Sequence, residues 1–551
     1  MYRSFFTFFS VGAVIAGGIA GVAAVPDALA GGSTIMVDTL IDENPPNESD
    51  GLCSLREAAA AARLGMAVDS CAMPSSPRNI RFDGNVVPVD PATPFEINLV
   101  APLNFDTQSS LTITLSGPLE PKLTVLLPPS TQASSPGFAL PSNGGTLELA
   151  GLTLRSRGPA PALGAGQLIQ SGDLTLRLTE VDLIGDGAPG SQGVSVISAG
   201  SVELDFERMS IRGFSRVGLV LQADSDVTLL VRDSQLVDNA TAMSLELSQS
   251  AAVLGSIEDS TFSRNSSVAF FLGSTSDGGV VGLGIERSVF SDNAGGAISL
   301  RHFGDSLGLL NLRRNLLFAN RSDRAAVISR GVRFIGANNT FIDNVSFDQG
   351  PGGLLVEDDS GSTVVVGNTF WGNSASREVT DDKGLIGAPL PQALRLQLAD
   401  EADNGRFVGN LVVQREPSVE PTCLFGPQDG LSQVTPASAM HNASNVADCL
   451  VGDQELQIVD LASRVATGLT GDPRRFLAVF PELDSGVVDQ WPDAECRVDS
   501  SLLSVDMIGD RRDESDLPLD GDPMLPADCD IGALELPKTP LTEEIFINGF
   551  E

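Results

Sequence analysis

A nine-residue phrase that recurs six times at nearly constant spacing limits this chain more than any other feature. It reads Val231-Arg-Asp-Ser-Gln-Leu-Val-Asp-Asn239, Ile257-Glu-Asp-Ser-Thr-Phe-Ser-Arg-Asn265 and Ile285-Glu-Arg-Ser-Val-Phe-Ser-Asp-Asn293. It continues as Leu312-Arg-Arg-Asn-Leu-Leu-Phe-Ala-Asn320, Gly336-Ala-Asn-Asn-Thr-Phe-Ile-Asp-Asn344 and Val365-Val-Gly-Asn-Thr-Phe-Trp-Gly-Asn373. The closing asparagines, Asn239, Asn265, Asn293, Asn320, Asn344 and Asn373, are 26, 28, 27, 24 and 29 residues apart. Weaker copies precede them at Leu152–Leu154, Val181–Leu183 and Ser210–Arg212, and a fading copy follows at Phe407–Leu411.

Each unit alternates apolar and polar residues, which is the mark of a strand with one buried face. A period this short does not suit a propeller blade. The return segments are rich in Gly, Ser and Asp and carry β-branched residues, not the helix of a leucine-rich repeat. One such unit cannot bury its own apolar face, but stacked units bury a continuous column. The expected fold is therefore all-β, a right-handed parallel β-helix over about 83–415. Phe262, Phe290, Phe341 and Phe370 should stack inward, with Leu236 and Leu317 at matching places. The asparagines should form a structural ladder at one corner, because Asn tolerates left-handed backbone and stacked amides pair between rungs. About ten rungs at roughly 4.8 Å predict a rod about 50 Å long.

An open stack of strands needs an end cap against edge pairing. Leu55 to Leu64 reads as a helix, with Ser54 as N-cap and Glu57 completing a capping box. That places an N-terminal cap over 31–82. After Val413 the repeat gives way to residues rich in Pro, Asp and Gly, so 416–551 reads as an irregular C-terminal region.

The ends also speak to compartment. Arg3, the uncharged run Phe5 to Val25 and the small-residue site Ala28-Leu29-Ala30 read as a cleaved signal peptide over 1–30. No second stretch approaches spanning length, so no transmembrane span is expected in the mature chain. Six cysteines follow: Cys53, Cys71, Cys423, Cys449, Cys496 and Cys529. An even count in an exported chain suits disulfides, and the sequential pairing is the simplest of about fifteen possible sets. It would staple both ends and leave the middle uncrosslinked.

At Cys53-Ser-Leu-Arg-Glu-Ala58 the sequence resembles the bacterial CSLREA domain. The preceding Ser33–Val37 and Asp38–Asp42, the downstream Cys71 and the segment Asn79–Phe82 complete that pattern. Cys529-Asp-Ile-Gly-Ala-Leu-Glu535 resembles the closing motif of surface β-helix proteins with a choice-of-anchor Q domain. The rungs between them resemble the repeats of polymorphic outer-membrane proteins. The resemblance spans about 33–535 and implies an exported bacterial β-helical protein, secreted or held at the outer cell surface. It carries no catalytic residue. The chain departs from anchored relatives in lacking an LPxTG signal or a basic tail.

Charge narrows the function. The chain has 34 Lys and Arg against 71 Asp and Glu, a net charge of −37. A phosphate backbone needs a positive surface, so nucleic acid is excluded as a partner. The residues lead to two readings. One is an extracellular rod with a binding, adhesion or structural role, whose partner is a polysaccharide or a surface protein. The other is a polysaccharide lyase or glycoside hydrolase working in a groove on the side of the rod. Hydrolysis needs two carboxylates facing one groove. The candidates are Glu357, Asp358 and Asp359, with Asp381 and Asp382 in the largest insertion and His302 as a base. Gly304-Asp-Ser306-Leu-Gly308 matches the string GxSxG but lacks the strand–turn–helix context of a nucleophile elbow. No cofactor is expected. The acidic tail, including Asp506, Asp510 and Asp513, leaves calcium open without matching a known calcium-loop spacing.

Overall fold

The computed structural model describes residues 34–42, most of 50–450, and the short strands Leu456–Gln457, Val465–Leu469 and Leu477–Pro481. Residues 1–33, 482–551 and several internal segments, among them 304–307, 358–362, 376–391 and 427–437, lie outside the described residues. The expected signal peptide, Cys496, Cys529, the CDIGALE motif, Ser306 and the aspartates of the tail fall there.

The fold is a right-handed parallel β-helix. Among the described residues, three long parallel sheets run along the axis, with fourteen, twelve and fourteen strands. Each turn of chain contributes to sheet 1, then sheet 3, then sheet 2. One turn comprises Val227–Arg232, Gln235–Val237 and Thr241–Leu247, and the next begins at Val253–Glu258. Fourteen strands at roughly 4.8 Å spacing stack to about 60 Å. The early segments after Phe82 belong to this stack, because Glu96–Asn98, Thr112–Ser116 and Leu123–Leu126 pair in register with later rungs. The stack also runs beyond Val413. Cys423–Phe425, Ser438–Met440 and Ala443–Ser444 each add a parallel strand to one of the three sheets. The looser sequence there hides this rung, because the intervening segments lengthen and break the period.

Alternation explains the core. Leu204, Leu229, Ile257, Ile285 and Leu312 are fully buried, while neighbours such as Glu203, Thr228 and Glu286 face outward. On sheet 3, Leu236, Phe262, Phe290, Leu317, Phe341 and Phe370 stand in one column. The Phe262 and Phe290 rings stack 4.7 Å apart at 8°, and the Phe341 and Phe370 rings 4.7 Å apart at 11°. Rungs held in one register bring identical rings to the natural strand spacing.

The expected asparagine corner is present, between sheets 3 and 2. The backbone N–H of each asparagine from Asn239 to Asn344 donates to the amide oxygen of the next. The side-chain amide of Asn320 also donates to the oxygen of Asn344 at 2.9 Å and to the Phe290 carbonyl at 2.8 Å. The left-handed residue, however, is not the asparagine. It is the residue before it: Asp238, Arg264, Asp292, Ala319, Asp343 and Gly372 have φ between 50° and 61°. The asparagine spends its side chain on the ladder while its neighbour makes the turn.

A second ladder, which the sequence reading did not anticipate, occupies the corner between sheets 1 and 3. It begins with Ser234, Ser260 and Ser288 and continues as Asn315, Asn339, Asn368, Asn410 and Asn442. Each N–H donates to the side-chain oxygen one rung on. The serines return their own hydroxyl protons to the carbonyl two residues back, as Ser260 does to Glu258 at 2.7 Å.

The helix Leu55–Leu64 caps the N-terminal end against Thr34–Val37, Arg78–Phe82 and Leu103–Asn104. Both halves of the capping box are made, and Gly65 closes the helix with φ 68°. Burial pushes the Glu57 carboxyl above its ordinary value, against the pull of its hydrogen bonds to Ser54. Arg56 grips Asp42 through two hydrogen bonds of 2.8 Å and donates to the carbonyls of Ala101 and Pro102. The Arg of the CSLREA hexapeptide therefore fastens the cap to the first rung. Disulfides join Cys53 to Cys71 at this end and Cys423 to Cys449 near the last rung.

Candidate functional site

The outward side chains of sheets 1 and 2 differ in kind. On sheet 1 opposite charges alternate between rungs. Arg177 bonds Glu148 at 2.9 Å and Glu203 at 3.3 Å, and Arg287 bonds Asp259 at 2.8 Å and Glu258 at 3.2 Å. These charges satisfy one another, and exposed pairs of this kind contribute about 0–1 kcal/mol each.

Sheet 2 is organised otherwise. Its register aligns Gln222, Glu246, Gly273, Arg301, Arg330 and Glu357 in one outward column. The adjacent outward column holds Ser244, Phe271, Ser299, Ile328, Leu355 and Arg395. Period-two alternation puts both columns on the side away from the core. The chemistry at equivalent positions thus varies along each column, in the first from the acid Glu246 through glycine and two arginines back to acid.

Two depressions lie side by side on this face and share Phe271 as a common wall. The larger, of about 500 Å³, is lined by Ile197, Ala223, Leu247, Phe271 and Phe303, with Gln222, Asp224 and Glu246 among its polar groups. Phe303 is 58% exposed. The smaller, of about 320 Å³, is lined by Phe271, Ser299, Arg301, Asp323, Arg324 and Ile328 among others. Ala325, Ile328 and Leu355 form a small apolar cluster outside the main core, beneath its far side.

Glu357 closes the strand Leu354–Glu357 and sits between two cations. Arg330 approaches one carboxylate oxygen at 3.6 Å, and Arg324 approaches the other at 4.0 Å. Among the described residues, the buried oxygen on the Arg330 side accepts no hydrogen bond. Arg330 also lies over the Phe303 ring, 5.6 Å from its centroid. Burial lowers the affinity of the Arg395 guanidinium for its proton, and Glu357 opposes that shift. Four arginines, Arg301, Arg324, Arg330 and Arg395, therefore gather on one face of a chain whose net charge is −37.

The other candidates are placed as follows. His302 ends the strand Ile298–His302 with its side chain 2% exposed, in the inward column with Ser274. It sits two residues beyond the inward Leu300, so alternation turns it into the rod and away from the depressions. Asp358, Asp359, Asp381 and Asp382 lie outside the described residues, so Glu357 is the one carboxylate of that set with a described position. Phe271, Phe303, Ser299 and Arg301 were not singled out in the sequence. Their only signal is register, which brings together residues about one repeat apart. Among the described residues, no group of three or more His, Cys, Asp or Glu side chains is placed to hold a metal ion. Among them, too, no helix is long and apolar enough to cross a membrane.

No protein-family model and no curated protein sequence matches the chain. Among solved structures, a pectate lyase, Pel9A, aligns over 91% of this chain and 97% of its own, at 11% identity and a TM-score of 0.34. XylC, solved in complex with xylose, aligns over 80% of this chain and 66% of its own, at 12% identity and a TM-score of 0.26. Neither superposition is close enough to carry chemistry from those proteins to this one.

Proposed function

We propose that this is an exported β-helical binding protein that holds a carbohydrate chain along the outer face of sheet 2. The observation that carries the reading is the pair of adjoining depressions that share Phe271. A sugar ring has C–H groups on its faces and hydroxyls on its edge. It needs an apolar platform bordered by hydrogen-bonding groups, and sites for small ligands follow that plan in general. Phe271 and Phe303 supply the platform, and Gln222, Glu246 and Ser299 supply the border. The depressions follow one another along the rod axis, the direction in which a polymer would lie. The signal-like N-terminus and the disulfides near both ends support an extracellular or surface location.

Glu357 favours a second reading, cleavage of the bound chain. Its carboxylate keeps one buried oxygen free of hydrogen bonds and has Arg324 and Arg330 beside it. A hydrolase would need a second carboxylate opposite it.

An array of surface, plant and algal polysaccharides probed with purified protein tests both readings. Each spot is read for retention and for new reducing or unsaturated ends, with and without calcium. Retention without new ends is the expected result. New ends would replace binding with cleavage and direct attention to Glu357. A blank array would overturn both and favour protein–protein adhesion or a purely structural role.

A further inference from the structure

The smaller depression has a chemical bias that the larger lacks. Among the described residues the Arg301 guanidinium makes no ion pair and no hydrogen bond. On sheet 1, by contrast, Arg177 and Arg232 are paired with carboxylates of neighbouring rungs. Arg324, on the same wall, has among the described residues only its 4.0 Å approach to Glu357. Asp323 is the one carboxylate among the lining residues, against these two cations.

Beside Arg301 lies an unsatisfied donor. Ser299 is 7% exposed, and its hydroxyl is buried without a hydrogen-bond partner. A buried hydroxyl left unpaired is costly. An acceptor brought in by a ligand would remove that cost. Ser299 faces outward next to Phe271 in the register of sheet 2, so its hydroxyl and the ring border the same depression.

We propose that Ser299, Arg301 and Arg324 form an oxyanion subsite for the carboxylate or sulfate of an acidic glycan whose ring rests against Phe271. This rests on the glycan-binding reading above and specifies the class of glycan. The guanidinium fork suits a planar or tetrahedral oxyanion, and the Ser299 hydroxyl donates a further bond. The larger depression carries Asp224 and Glu246 instead. It therefore suits an uncharged sugar, and the two together select a chain whose acidic residue lies on the Arg301 side.

Three labelled probes test this with the full chain: tetragalacturonate, the same oligosaccharide with its carboxyls reduced to alcohols, and a carrageenan-derived tetrasaccharide bearing sulfate alone. The expected result is that at least one anionic probe binds about tenfold or more tighter than the reduced one, with the advantage shrinking as salt rises. Arg301→Gln should erase that advantage. Ser299→Ala, which removes only an unpaired hydroxyl, should reduce it without lowering the unfolding midpoint. Which anionic probe is preferred identifies carboxylate or sulfate as the group recognised. Equal binding of all three probes, weakened alike by Phe271→Ala and unchanged by Arg301→Gln, would overturn the subsite and leave the glycan-binding reading standing. Binding of none would overturn both.

Discussion

The asparagine corner and the outer face of sheet 2 are built on the same rungs in the same register, yet they follow opposite rules. At the corner every rung repeats one side chain, and each copy satisfies its neighbours. On the face the side chain changes along the column: Glu246, Gly273, Arg301, Arg330 and Glu357 succeed one another, an acid, a glycine, two arginines and an acid. Several groups there, notably the Arg301 guanidinium and the Ser299 hydroxyl, have no partner among the described residues. Repetition marks what holds the stack together. Variation in fixed register marks where a ligand can be recognised.

The largest effect is expected at the corner. Asn320 takes part in four side-chain bonds: its oxygen accepts from the Asn293 N–H and amide, and its amide donates to Asn344 and to the Phe290 carbonyl. Asn320→Ala removes all four bonds and leaves the buried Asn293 N–H without its acceptor. A loss of about 3–4 kcal/mol is expected in denaturant unfolding, with binding by the protein that remains folded unchanged.

The serine ladder should be weaker. Ser260 accepts one N–H and donates one bond, so Ser260→Ala should cost about 1–2 kcal/mol. The reverse experiment sharpens the contrast. Ser288→Asn would lengthen the asparagine run by one rung and add an amide donor beside Asn315. A gain of about 1 kcal/mol is expected, read as a higher urea midpoint at unchanged slope. A loss would show that the serine rungs leave no room for the amide.

The smallest effect concerns the turn. Ala319 holds φ at 53°, a region that Cβ disfavours. Ala319→Gly should relieve that strain and stabilise by up to about 1 kcal/mol, reduced by the extra freedom glycine gives the unfolded chain.

The fold was legible because its information is periodic. Six copies of one phrase are enough to infer rungs, and Phe262, Phe290, Phe341 and Phe370 declare their common column by common position. The helix Leu55–Leu64 was legible from its own caps. The second ladder was hidden by a change of chemistry, from Ser at 234, 260 and 288 to Asn from 315 onward. The left-handed turns were hidden because Asp, Arg, Ala and Gly all occupy them, although Asn is the residue expected there. The last rung was hidden by long insertions. Of the candidate site, Glu357 stood out, as the first of three successive carboxylates. Arg301 and Phe271 are unremarkable in the chain and become neighbours only when strands 28 residues apart are paired: Phe271 lies beside Ser299, and Gly273 beside Arg301. The inward turn of His302 was readable from alternation with Leu300, since His302 lies two residues further along the same strand.

On this reading the repeated interior holds the fold while the unrepeated face of sheet 2 binds. The most direct test measures thermal unfolding and glycan retention side by side for Asn320→Ala and Phe271→Ala. A lowered midpoint with intact retention is expected for the first, and an intact midpoint with lost retention for the second. Phe271→Ala that lowers the midpoint and leaves retention untouched would contradict that reading, because the face would then be part of the scaffold and the ligand would bind elsewhere.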